Sequence, residues 1–154
     1  MKPISFTCAD TLPLVPADVT SRILDPSHWP DFTGYGPLPG VKSAVFEAHS
    51  LSVVGTRIRV MNTDGSSHSE EVVGWEPNRR LKFAATDFSP PLSRLSHRFV
   101  ETWEFEPVSG GTHVARSFEM YPKTALARPA LWLISCLLNR AVARHLQRMR
   151  GLSR

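Results

Sequence analysis

Hydrophobic residues alternate with polar ones over most of this chain. Ile4, Phe6 and Cys8 alternate through Ile4–Leu12, which predicts a strand with one buried face. Pro13 and Pro16 end that pattern. Val19, Ile23 and Leu24 then follow at helical spacing, with Pro16 suited to a first helical turn. Asp25-Pro26 stops this helix. A second short helix is expected around Ser27–Phe32, and the Pro- and Gly-rich stretch up to Gly40 reads as loop.

From Val41 the period of two returns. Strands are expected over residues 41–48, 56–61, 69–76, 80–86, 96–106 and 112–121. Asp64-Gly65 and Ser109-Gly110-Gly111 supply turns between them. Residues 87–95, with Pro90-Pro91, form a loop that is a candidate gate. Leu131, Ile134, Leu138, Val142, His145 and Met149 then recur every three or four residues, predicting one long helix over 126–150, with an interruption near Pro129. Strands segregated from helices indicate an α+β domain occupying residues 1–154. A curved antiparallel sheet wrapped around the last helix buries both apolar faces.

Four stretches carry a family resemblance. They are Pro16-Ala17-Asp18-Val19 with Asp25 and Trp29-Pro30; Val54-Gly55-Thr56; Val73-Gly74-Trp75-Glu76-Pro77 leading to Leu81 and Phe83; and Gly110-Gly111-Thr112 with Val114. In this order and spacing the chain resembles the START-like, or SRPBCC, superfamily. That superfamily includes the birch-pollen-allergen-like proteins and the polyketide cyclase/dehydrase and lipid-transport group. The resemblance implies a helix-grip fold: a curved antiparallel sheet around a long C-terminal helix, with two short helices after the first strand. It also implies a cavity for a hydrophobic or amphipathic molecule. It carries no family-wide catalytic signature onto particular residues, and fold alone does not assign function.

The strand over 96–106 carries the candidate chemistry. One face reads His97, Phe99, Glu101, Trp103, Phe105. If the hairpin turn sets Phe105 opposite Val114, Trp103 faces Arg116 and Glu101 faces Phe118. Glu101 and Arg116 are then diagonal neighbours on the concave face. An inward carboxylate and guanidinium are costly unless paired, so the pair is expected to orient a ligand's polar end. The apolar walls are expected from Phe83, Phe99, Trp103, Phe105, Phe118 and Met120 of the sheet. The helix is expected to add Leu131, Ile134, Leu138 and Val142, with His145 also pointing inward. His28, His49 and His68 read as loop or strand-end residues, and Ser135 and Cys136 as helix packing.

The sequence has no phosphate loop, dinucleotide fingerprint, nucleophile elbow or metal-ligand spacing, so no cofactor and no metal are expected. Cys8 and Cys136 are far apart in sequence and read as unpaired, which fits a reducing, cytoplasmic setting. The amino-terminal residues enter the first strand without the apolar core of a signal peptide. The longest uncharged apolar stretch, residues 130–138, is shorter than a membrane span requires.

Charge alters this picture at one place. The chain of 154 residues has a net charge of +4. Residues 1–120 carry 11 basic against 14 acidic side chains, net −3, whereas residues 121–154 carry 7 basic and no acidic ones. Arg140, Arg144 and Arg148 form a stripe on the last helix. Nucleic acid is not expected as its partner, because no aromatic stacking platform interleaves with it. Anionic lipid headgroups or an acidic protein partner remain, beside a plain solvated face. Three functions therefore stand: binding or transport of a lipid, isoprenoid, fatty acid or polyketide-like aromatic; acid–base catalysis of the cyclase/dehydratase type; and an interaction module acting through the basic helix.

Overall fold

A computed structural model describes residues 1–152; Arg154, counted above in the basic segment, lies outside them. β1 (Ile4–Leu12) is followed by α1 (Pro16–Ile23) and a 3-10 helix at Pro26–Asp31. Then come β2 (Val41–Ala48), β3 (Arg57–Asn62), β4 (Ser67–Glu76), β5 (Arg80–Thr86), β6 (Ser96–Val108) and β7 (Gly111–Pro122). α2 (Arg128–Arg150) closes the described chain. The seven strands form one antiparallel sheet in the order β1-β7-β6-β5-β4-β3-β2. The chain thus takes the helix-grip arrangement.

Local chemistry accounts for the element boundaries. Thr20 Oγ1 donates to the Pro16 and Ala17 carbonyls within α1. The Asp25 carboxylate accepts from Ser27 N at 3.0 Å and starts the 3-10 helix. Thr124 Oγ1 accepts from Ala127 N at 3.2 Å and opens a 3-10 turn at Ala125–Ala127. Pro129 lies in the first turn of α2, where its missing N–H costs nothing. The helix therefore begins at Arg128, with this proline in its first turn, and is not interrupted by it. Gly111 sits where a Cβ would fall 1.9 Å from the Leu12 carbonyl oxygen, so only glycine lets β7 start against the end of β1.

α2 packs chiefly on β1, and the 3-10 helix at Pro26–Asp31 packs on β2 at the opposite edge. Cys8 Sγ of β1 lies 3.0 Å from Asn139 Oδ1 of α2 and donates to it, helping to tie helix to edge strand. The core comprises Leu12, Val19, Leu81, Val114, Leu131, Val142 and Leu146, all almost wholly buried. Because α2 leans on one edge of a strongly curved sheet, it does not fill the concavity over β4–β6.

By length and composition the helix Ala125–Arg150 is apolar enough to cross a membrane, although the uninterrupted apolar stretch read from the sequence is shorter. Flanking residues extend it, and Arg140 is the one charged residue in the run from Pro129 to Ala143. In this fold its inner face lies against the sheet.

Candidate functional site

The β6–β7 hairpin has the register its turn and alternation predict. Phe105 pairs with Val114, Trp103 with Arg116 and Glu101 with Phe118. Glu101 and Arg116 are both buried, and Arg116 Nε donates to Glu101 Oε2. Arg116 Nη1 lies 2.9 Å from His145 Nδ1 of α2. A guanidinium only donates, so Nδ1 accepts and the imidazole is neutral, with its proton on Nε2. Arg116 also lies over the Trp103 ring, 4.3 Å from its centroid, and 5.4 Å from that of Phe118.

Electrostatics follow from this burial. Removal from water pushes the Glu101 carboxyl above its usual range; Arg116 opposes the shift and nearby Glu70 adds to it. Burial holds His145 down to about 3, and the Arg116, Arg148 and Arg22 charges act in the same direction. One polar atom lacks a well-formed partner: Trp103 Nε1 is buried and acts on the Glu101 carboxyl, lowering its pKa, without a hydrogen bond of ordinary geometry among the described residues. Such groups in native interiors call for an explanation.

These side chains border a cavity of about 450 Å³ between the sheet, α2 and the loops. Of the residues the sequence brings forward, Phe83, Phe99, Glu101, Trp103, Arg116 and Phe118 line it from the sheet, and Ile134, Leu138 and His145 from α2. Phe105, Met120, Leu131 and Val142 do not. They face inward but are packed into the closed core, where other side chains cover them. His97 is a further correction: a register shift between Ser96 and Arg98 turns it to solvent. Cys136 is exposed, not packed.

The cavity also has walls that the alternating pattern does not reveal. Trp29 and Phe32 enter from the 3-10 helix and its C-terminal flank. Trp29 Nε1 donates to the Ile23 carbonyl at 2.8 Å, which fixes the indole edge-on to Phe83. Phe32 meets the His145 ring edge-on at 5.8 Å. His28 and His68 line the cavity too, and His68 Nε2 lies 3.0 Å from Glu70 Oε2. The only sequence signal for the aromatic pair is their place in a proline-punctuated segment after a helix. The 87–95 loop contributes Phe88, Ser89, Pro90, Pro91, Leu92 and Leu95, with Phe88 packed on Phe99 at 4.9 Å. Pro37, Asp64, Pro90 and Pro91 line the cavity yet are exposed, which places its mouth among the loops around them.

Sequence comparison agrees with this architecture. The model of the family described as polyketide cyclase / dehydrase and lipid transport matches residues 3–153. The chain belongs to this family. Uncharacterized proteins of Mycobacterium tuberculosis and Mycobacterium bovis are 28% identical to it over 150 residues, spanning 96% of this chain and 83% of theirs. Among solved structures, ginseng major latex-like protein 151 from Panax ginseng superposes with a TM-score of 0.69 at 14% identity, covering 99% of this chain and 100% of that one. The di-domain ARO/CYC StfQ of the steffimycin biosynthetic pathway gives a TM-score of 0.74 at 14% identity, over 97% of this chain and 50% of that one. At these identities the structural likeness defines the fold of this family member, and the chemistry of its site rests on its own residues.

Proposed function

We propose that the protein binds an apolar small molecule bearing one polar, hydrogen-bond-accepting end. The observation that carries this reading is the pairing of an aromatic-walled cavity with the Arg116 guanidinium at its edge. The volume lies within the roughly 300–1,000 Å³ range of small-molecule sites. Burial of ligand surface supplies the affinity, at about 25 cal/mol per Å² before ordering costs. The Arg116 guanidinium, which only donates, selects an acceptor oxygen.

Charge narrows the class of that oxygen. Glu101 already neutralises Arg116, and Glu70 stands nearby. A carbonyl or phenolic oxygen therefore suits the site better than a free carboxylate. Lipids, isoprenoids and polyketide-like aromatics with such an end fit better than fatty acids. Native mass spectrometry of the freshly purified protein is expected to show a co-purified apolar compound, or uptake of an added apolar probe. Ala85, small, buried and on the cavity wall, is the place to test location. Ala85→Phe is expected to weaken probe binding at least about tenfold, equivalent to about 1.4 kcal/mol. An undiminished affinity in this variant removes the cavity from the account.

One observation favours a second reading, acid–base catalysis of the cyclase type. A carboxyl with a raised pKa and a neutral imidazole, both held by Arg116, face the same cavity. Under that reading Glu101→Gln abolishes turnover of a polyketide-type substrate while leaving its binding within a few-fold. Under the carrier reading no turnover is found in either protein.

A further inference from the structure

The outer face of α2 is not the polar surface that a helix packed on a sheet ordinarily presents. Leu126, just before the helix, is 92% exposed, and Trp132 and Leu133 in its first turns are 60% and 57% exposed. Pro129, Ala130 and Cys136 are exposed beside them. Helical spacing continues this stripe into Arg140, Arg144, Gln147 and Arg148, all exposed. The stripe is thus apolar in its first half and basic in its second. Most of the apolar part of this helix is left unburied.

We infer that this face docks on the surface of an anionic lipid bilayer. The occupant must take up a broad apolar surface and meet uncompensated positive charge on the same stripe. Arg140 and Arg144 stack over the Tyr35 ring at 5.7 and 5.0 Å. Among the described residues neither these two nor Arg148 forms a salt bridge. A bilayer supplies both environments: Trp132 and Leu133 enter the headgroup boundary and the arginines remain at the phosphates. A second copy of the chain meets the apolar half but brings the same unbalanced charge. Nucleic acid meets the charge and leaves the apolar half in water.

The position of the stripe supports the same occupant. Leu137, one turn beyond Leu133, is half-buried and lines the cavity. Lys123 N donates to the Leu95 carbonyl at 2.9 Å, tying the segment before α2 to the loop that carries Pro90, Pro91 and Leu92 at the mouth. Docking therefore sets the cavity mouth close to the bilayer, although the docking itself does not depend on what the cavity holds.

Co-sedimentation of the full chain with phosphatidylcholine vesicles, with and without phosphatidylserine, tests this. Binding is expected to be at least about tenfold tighter to the anionic vesicles and to weaken with salt. Each arginine near such a surface contributes about fivefold, so Arg140→Gln/Arg144→Gln is expected to lose about 25-fold. Trp132→Ser/Leu133→Ser is expected to lose about tenfold or more. Its melting temperature is expected to stay that of the parent, because both side chains are exposed. Equal binding to both vesicle types, binding to neither, or full binding by the Trp132→Ser/Leu133→Ser variant overturns the inference. So does a dimer in analytical ultracentrifugation that this variant abolishes when no vesicle binding is seen; the face then belongs to a second copy.

Discussion

Arg116→Met is expected to destabilise the protein by about 3–5 kcal/mol at neutral pH. The variant removes the partner of a buried carboxylate and leaves Glu101 among Trp103, Phe118 and Glu70. It also takes the donor from His145 Nδ1 and the cation from the Trp103 face. Burial already raises the Glu101 pKa with Arg116 present, and without it the shift grows. The folded state then binds a proton that the unfolded chain has released. Stability of this variant is therefore expected to recover partly as the pH is lowered from 7 towards 5. Adding Glu101→Leu removes the stranded charge, and the double variant is expected to return to within about 2 kcal/mol of the parent. Urea denaturation of the four proteins of the cycle measures these terms. A single variant as stable as the parent contradicts the buried pair.

The second large effect is a dependence on pH that runs through His145. Its folded pKa is held at about 3, and an unfolded histidine titrates near 6.5. Between those values the unfolded chain binds the extra proton, so stability is full above pH 6.5 and declines as the pH falls. At pH 4.5 the loss from this residue is about 2–3 kcal/mol, or about 5–10 °C in melting temperature for a domain of this size. Glu101 acts in the opposite direction: its raised pKa lets the folded state take up a proton first as the pH falls. The informative quantity is therefore the difference between two melting profiles, parent and His145→Gln, from pH 7 to 4.5. The glutamine amide oxygen can still accept from Arg116 while carrying no titrating group. Its profile is expected to be flatter by that amount, and identical slopes in the two proteins would exclude a buried neutral His145.

The β6–β7 site was legible because a periodicity and a tight turn coincide there. A period of two assigns faces, and a glycine turn at Gly110-Gly111 assigns register, so Trp103 opposite Arg116 follows from residue order. The same logic fails at His97, where a bulge advances the strand by one residue and reverses its face. Alternation also gives only a direction. Alternation for Phe105 and Met120, and helical spacing for Leu131 and Val142, show that these side chains point inward, but not whether others cover them. Trp29 and Phe32 escaped because an irregular, proline-rich segment has no period to read.

By itself, the sequence determined the order of elements, the inward faces of the long strands, the concave position of Glu101 and Arg116, and the concentration of positive charge after residue 120. These depend on local periodicity and turn chemistry, which act over a few neighbouring residues. The tertiary structure alone decided that α2 leans on β1 and leaves a cavity over β4–β6, that His145 closes on Arg116, and that Trp132 and Leu133 stay outside. Each of these depends on the angle at which one helix crosses a curved sheet. That angle is set by packing among residues more than a hundred positions apart, such as Cys8 against Asn139.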